Sequence, residues 1–147
     1  MRMRPNGKMI LVVTVAAFAI WNLGWFIITK AVYSEFLEAV PKNEFGKYVM
    51  EEKGYLFNVK KPGYLSFTGN LGVTEKGSMN GSIIWPQIFG GYKNGVRLQQ
   101  DDEVYEIYLD EHMKLVNEDE FTNQLYEKYQ KEIESLFSEA NQVWDLD

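Results

Sequence analysis

Cysteine is absent from this 147-residue chain, and histidine occurs once, at position 112. Disulfides, thiolate metal ligands and cysteine nucleophiles are therefore excluded. The sequence also contains no internal repeat and no low-complexity linker. A fold without disulfides must be stabilised by its apolar core, and 46% hydrophobic with 15% aromatic residues is enough for one domain plus an anchor.

Acidic residues are missing from the first 30 positions, which contain only the basic residues Arg2, Arg4, Lys8 and Lys30. Residues 31–147 have the opposite balance, with 11 basic and 21 acidic side chains. A surface as acidic as this repels phosphate backbones, so nucleic acid is excluded as a partner.

The segment 9–29 contains no charge over 21 residues. As a helix it spans roughly 32 Å, which matches a hydrocarbon core of about 30 Å. Its leucine, isoleucine, valine and phenylalanine side chains favour insertion by roughly 3–7 kcal/mol, more than the cost of the uncharged amide of Asn22. The sequence therefore predicts a transmembrane helix, with the lipid bilayer as its partner.

Three basic residues precede this helix, at positions 2, 4 and 8, and only Lys30 follows it before Glu35 and Glu38. Because the more basic flank stays inside, we expect a cytoplasmic tail over 1–8 and a C-terminal domain outside. This pattern is typical of a single-pass signal-anchor in the cell membrane.

A cleaved signal peptide is the alternative, since Ala17-Phe18-Ala19 has the small-residue pattern of a cleavage site. Cleavage there would leave a strongly apolar new terminus, and we favour the uncleaved anchor. Within the anchor, Asn22 and Gly24 place a hydrogen-bonding amide beside a small residue. That pair is typical of contact with another transmembrane helix, although a lone tolerated amide is the simpler interpretation.

Residues 30–41 place Tyr33, Phe36, Leu37 and Val40 at helical spacing before Pro41. We expect a helical stalk there that continues the membrane helix, followed by an extracytoplasmic domain over 42–147. From 47 to 116 the pattern changes to short apolar segments separated by glycine-containing turns. The predicted strands are 47–52, 55–60, 64–75, 82–89, 96–99, 104–110 and a short 113–116.

Three local details refine these strands. Leu65, Phe67, Leu71 and Val73 alternate and are expected on one face, with Gly69 between them. Pro86 favours an edge position or a bulge. Gly90-Gly91 and Asn94-Gly95 are expected to flank the next turn region.

The last segment predicts an amphipathic helix with Asn117 as its N-cap and Glu120 completing a capping box. Glu118 and Asp119 add favourable charge at the helix start. The apolar stripe consists of Phe121, Leu125, Tyr129, Ile133, Leu136, Phe137, Ala140 and Trp144. The predicted fold class is α+β: an N-terminal transmembrane helix, then an antiparallel β-meander of about five to seven strands with this helix packed on it.

His112 has no nucleophile motif, and the acidic residues between 101 and 120 lack the EF-hand pattern, so we assign no catalytic residue, metal ligand or cofactor. We interpret the acidic run as a solvated face, with a calcium site as the alternative. Five aromatic residues are candidates for a sugar- or peptide-binding face, with ordinary core packing as the alternative: Tyr64, Trp85, Phe89, Tyr92 and Tyr105. Trp85, Phe89 and Tyr92 are selected from these, because they surround the unusual Pro86 and Gly90-Gly91 stretch.

The leading hypothesis is a membrane-anchored extracytoplasmic binding or accessory module, interacting with a protein or an envelope component. One alternative is a membrane-proximal hydrolase or transferase that uses carboxylates and His112. The other is a structural subunit of a membrane complex, with Asn22 and Gly24 at its helix interface.

Overall fold

The computed structural model describes residues 6–117 and 119–146. Arg2 and Arg4 of the basic tail, and Glu118 at the expected helix start, lie outside the described residues. The first element is a continuous helix, α1, Gly7–Ala39, whose 33 residues extend for roughly 50 Å. Its most apolar 18-residue window has no buried residue, and the helix is long and apolar enough to cross a membrane.

The C-terminal part of α1 enters the core of the domain. Tyr33, Phe36 and Val40 are buried there at helical spacing, and Val40 is the C-cap. Pro41 follows immediately, where its ring and missing N–H prevent the helix from continuing. One helix therefore has an unburied apolar half and a half that packs inside the fold.

The described residues form one six-stranded antiparallel sheet in simple meander order. This confirms the predicted α+β class, with an apolar N-terminal helix, a meander and a C-terminal helix. The strands are β1 Tyr48–Glu52, β2 Tyr55–Lys60, β3 Asn70–Glu75, β4 Gly81–Pro86, β5 Tyr92–Gln100 and β6 Glu103–Leu109.

Period-two alternation divides the sheet into a covered face and an open face. Cross-strand partners share a face, as in the row Val59, Leu71 and Ile84 and the row Phe57, Val73 and Val96. These side chains are buried under the helices. The alternate positions, which include Trp85, Arg97 and Tyr108, form the open face.

The C-terminal helix, α2, Glu120–Trp144, packs its apolar stripe on the covered face. The buried members of the stripe are Leu125, Ile133, Leu136, Ala140 and Trp144. Asn117 was the wrong N-cap prediction: the cap is Asp119, whose carboxylate accepts hydrogen bonds from the backbone and hydroxyl of Thr122. A carboxylate at this position complements the positive end of the helix dipole, and the cap lowers the pKa of Asp119.

Three strand predictions are corrected. Asn94-Gly95 does not flank the turn but lies within β5, and the chain reverses over 87–91. Pro86 is not on an edge strand, because β4 is interior. It is the last residue of that strand, opposite Tyr92, so its missing N–H does not interrupt the hydrogen bonds between strands in the rest of the sheet. Residues 113–116 contribute only an isolated bridge between Leu109 and Leu115.

The predicted strand over 64–75 is shortened to β3. Residues 61–69 leave the sheet and connect β2 to β3 as an irregular segment, called the β2–β3 loop below. A Cβ on Gly69 would lie 2.3 Å from the carbonyl oxygen of Lys60, so the loop closes where only glycine fits. Leu65 has a φ of +58°, which also departs from strand geometry.

Candidate functional site

Trp85 lies on the open face, half-buried against neighbouring strands. A Cβ on Gly95 would lie 2.8 Å from the indole Cζ3, so the missing side chain lets the ring lie on the backbone of β5. The Tyr108 ring is 6.0 Å from the indole ring, and the ammonium of Lys93 stands 4.5 Å above the Tyr108 ring. Trp85 thus belongs to an aromatic and cationic cluster on the surface of the sheet.

Beside Trp85 the open face is hollowed into a shallow groove of about 420 Å³. Gly72 and Gly81 form part of its floor, where an added Cβ would lie 2.6 Å from the side chains of Asn58 and Thr74, respectively. The walls present amides, a hydroxyl, a guanidinium and two large apolar groups, from Asn58, Asn70, Thr74, Arg97, Ile83 and Trp85. This combination of fixed polar groups and apolar walls is typical of binding sites for polar ligands.

Arg97 is held at the edge of this groove by Glu106. The Nε of Arg97 lies 2.9 Å from Oε2 of Glu106, and the hydroxyl of Tyr108 donates a 2.6 Å hydrogen bond to Oε1. The Tyr108 hydroxyl and the Arg97 guanidinium lower the pKa of Glu106 from its ordinary value of 4.5. A carboxylate with two donors fixes the position of the cation that faces the groove.

The Glu106 arrangement predicts a pH-dependent contribution to stability. Because its pKa is lower in the folded chain, the contribution is complete above the ordinary pKa and is lost as the pH falls through the lowered value. We expect Glu106→Gln to be less stable than the parent at pH 7, with the difference in unfolding free energy shrinking towards pH 3. Denaturant titrations across this range check it, with Glu127→Gln on the exposed side of α2 as the control.

Tyr92 lies on the covered face, opposite to Trp85. It packs edge-on against Phe36 of α1, with ring centroids 6.3 Å apart. Burial raises the pKa of Tyr92, and the charges of Glu35 and Asp145 add to this effect. Tyr92 also lines a second groove of about 810 Å³, between the 87–91 turn and the C-terminal half of α2, together with Gln87, Met113, Glu134, Phe137 and Leu146.

Phe89 occupies neither groove. It lies at the tip of the 87–91 turn and is 96% exposed. The structure therefore places the three predicted binding residues at three different locations: Trp85 on the open face, Tyr92 under the helices and Phe89 at a turn. Within the described residues, these three side chains therefore form no common surface. The period-two alternation of side chains along β4 and β5 is the sequence signal that places Trp85 and Tyr92 on opposite faces.

Asn22 has a partner within the chain. Its Nδ2 donates to the Phe18 carbonyl over 2.8 Å, and its Oδ1 accepts a hydrogen bond from the Tyr64 hydroxyl of the β2–β3 loop. Gly24 is different, because a Cβ there would meet nothing within 4 Å. The surface around Gly24 is open, whereas the amide of Asn22 is engaged by the loop.

His112 is 73% exposed on the turn after β6, with its Nε2 3.7 Å from Glu111. The carboxylate of Asp110 shapes that turn by accepting the backbone N–H groups of His112 and Lys114, which lowers its pKa. Within the described residues, no group of three or more carboxylates or imidazoles is placed to hold a metal ion. Asp110 thus stabilises a turn, Asp119 caps α2, and Glu106 pairs with Arg97 on the sheet.

Sequence reasoning missed the role of Asn80, one of the few buried polar side chains. Its Nδ2 lies 3.0 Å from both carboxylate oxygens of Glu132 on α2, and its Oδ1 accepts the Gln99 backbone N–H over 2.6 Å. The amide therefore joins β4, β5 and α2. No local pattern identifies such a residue, because its two partners, Gln99 and Glu132, come from distant segments.

The chain matches no protein-family model, and comparisons with curated proteins and with solved structures give no significant match.

Proposed function

We propose that this chain is a single-pass, membrane-anchored accessory module whose acidic domain contacts an extracytoplasmic protein or envelope component. The observation that carries the proposal is the division of α1. No residue of its most apolar 18-residue window is buried, whereas Tyr33, Phe36 and Val40 of the same helix are buried in the domain. Leaving the apolar half in water would expose an apolar surface far larger than monomeric proteins tolerate.

The proposed orientation has the N-terminus in the cytoplasm. It is supported by the basic residues before the apolar run and by the acidic balance after it. The proposed contact surface is the open face, because its groove is lined by amides, Arg97 and Trp85, and the ring of Tyr108 lies beside that of Trp85. Aromatic and arginine side chains are the residues most often decisive in protein interfaces.

The absence of cysteine allows a direct test of orientation. We expect a cysteine introduced at exposed Met79 to react with a membrane-impermeant maleimide on intact cells. We expect a cysteine at Lys8 to react only after the membrane is permeabilised. Equal protection of both sites, or recovery of the chain in the soluble fraction, would contradict the proposal.

The contact surface is tested by co-purification from mild detergent after crosslinking in cells. Asn70→Arg places a long cation in the open-face groove, and Asn123→Arg makes the same exchange on an exposed position of α2. We expect partners of the parent chain to be retained by Asn123→Arg and depleted by Asn70→Arg. If both variants retained the same partners, the open face would not be the contact surface.

A further inference from the structure

The β2–β3 loop folds back along α1 towards its apolar half. At its C-terminal end, Gly69 donates its backbone N–H to the Tyr33 hydroxyl over 2.9 Å. Nearer its middle, the carbonyl oxygen of Ser66 accepts a 2.6 Å hydrogen bond from Nε1 of Trp25. Tyr33 and Trp25 are two helical turns apart, so the loop descends roughly 12 Å along the helix axis.

Aromatic contacts extend the loop further down the helix. Phe67 packs edge-on against Trp21 at 5.8 Å, and Tyr64 packs edge-on against Trp25 at 5.4 Å. The Tyr64 hydroxyl also donates to Asn22, as described above. The loop and α1 together therefore present a cluster of four aromatic rings.

This contact lies inside the apolar run of the helix. Asn22 is seven residues before Thr29, the last residue of the uncharged segment, which places it roughly 10 Å within that segment. If the bilayer ended below the loop, only residues 9–20 would remain, or about 18 Å of helix. That length is well short of the ~30 Å hydrocarbon core. A bilayer that covers the whole uncharged segment of α1 would therefore also surround the tip of the β2–β3 loop.

We propose that the tip of the β2–β3 loop, residues 63–68, inserts into the outer leaflet beside α1 as a second membrane contact. The outer surface of the loop contacts the boundary between the lipid headgroups and the acyl chains. This inference rests on the proposed membrane anchoring of α1, with which the loop surface is continuous.

The side chains of the loop fit this environment. Tyr64 of the loop is 66% exposed and Trp21 of α1 is 53% exposed, so part of the apolar surface of the aromatic cluster is not covered by the protein. Amphipathic rings favour the membrane interface. Lys60, which precedes the loop, and Lys61, its first residue, are both exposed, and ammonium groups near a membrane are attracted to lipid phosphates.

The backbone of the loop also fits, because irregular structure enters lipid only where its polar groups have partners. The Ser66 carbonyl has the Trp25 indole, and the Ser66 N–H donates to the Gly63 carbonyl over 2.9 Å. The N–H groups of Thr68 and Gly69 donate to the hydroxyls of Ser66 and Tyr33. Five backbone groups of the loop are thus bonded within the protein: the N–H groups of Ser66, Thr68 and Gly69 and the carbonyls of Gly63 and Ser66.

Depth-dependent fluorescence quenching tests this on the full chain in vesicles of phosphatidylcholine and phosphatidylglycerol. Gly63→Cys carries an environment-sensitive dye at a position where an added Cβ meets no atom within 4 Å. Thr68→Cys gives a second, exposed loop site. Val13→Cys reports the anchor, and Met79→Cys reports the 76–80 turn, which follows the opposite end of β3 from the β2–β3 loop.

We expect shallow nitroxide-labelled lipids to quench the dye at Gly63→Cys and Thr68→Cys at least about twofold more than at Met79→Cys, with a blue-shifted emission. Deep quenching at Val13→Cys verifies the anchor independently. Quenching at Val13→Cys but not at the two loop sites would overturn the inference and leave the anchor intact. No quenching at Val13→Cys would overturn the proposed anchoring itself.

Discussion

Asn80→Ala is expected to lower the free energy of unfolding by about 2–4 kcal/mol. The amide of Asn80 satisfies the Gln99 N–H and both oxygens of the Glu132 carboxylate, so its loss leaves these groups without that partner in a confined space. Denaturant titration of the detergent-solubilised full chain measures the loss. Met79→Ala, at the exposed neighbouring position, is expected to change stability little.

Asn80→Asp separates hydrogen bonding from simple packing. The exchange keeps the shape of the side chain but replaces the Nδ2 donor to Glu132 by a carboxylate oxygen. Two facing carboxylates repel, so Asp should cost at least as much as Ala at pH 7 and less at pH 4. An Asn80→Asp chain as stable as the parent at pH 7 would show that the contact with Glu132 contributes nothing.

Gly69→Ala is the second substitution with a large expected effect, of about 2–4 kcal/mol in unfolding free energy. The new methyl would lie 2.3 Å from the Lys60 carbonyl oxygen, 2.8 Å from the Tyr33 hydroxyl and 2.9 Å from Cδ of Pro62. Since the first of these atoms belongs to the backbone, the clash can be relieved only by moving the loop away from β2.

The matched control for Gly69→Ala is Gly63→Ala in the same loop, where the methyl meets no atom within 4 Å. We expect Gly63→Ala to be close to the parent in stability. Intrinsic fluorescence adds a local readout, because displacing the loop removes the hydrogen bond between Ser66 and the Trp25 indole. Equal stability of the two variants would mean that the tight closure at Gly69 is unimportant.

Much of the architecture follows from the sequence because its signals are local. The predicted stripe of α2 repeats at helical spacing, and five of its members, Leu125, Ile133, Leu136, Ala140 and Trp144, are buried. Likewise Phe57, Val59, Leu71 and Val73 alternate and lie on the covered face. Where the apolar residues of a segment repeat at the period of its helix or strand, the sequence alone therefore predicts which of its side chains are buried.

The errors arise where distant segments compete with the local pattern. Leu65 and Phe67 continue the alternation of Leu71 and Val73, yet Phe67 packs on Trp21, about 45 residues away in sequence. Nothing near Phe67 encodes that partner, so a strand was the reasonable but wrong prediction. The N-cap was missed for a smaller reason: Asn117 and Asp119 are both good caps, and the hydroxyl and N–H of Thr122 favour the second.

The uninterrupted course of α1 couples the orientation of the domain to that of the apolar half of the helix. No proline and only one glycine, Gly24, lies between Lys8 and Ala39, so the described helix lacks the usual causes of a sharp kink. Because α1 is one continuous helix whose C-terminal part is buried in the domain, a tilt of its apolar half would turn the sheet through the same angle. A transmembrane segment adjusts to bilayer thickness by tilting. On the proposed anchoring of α1, the angle between the open face and the membrane plane therefore changes with lipid thickness, and a partner of fixed height would distinguish thin from thick membranes.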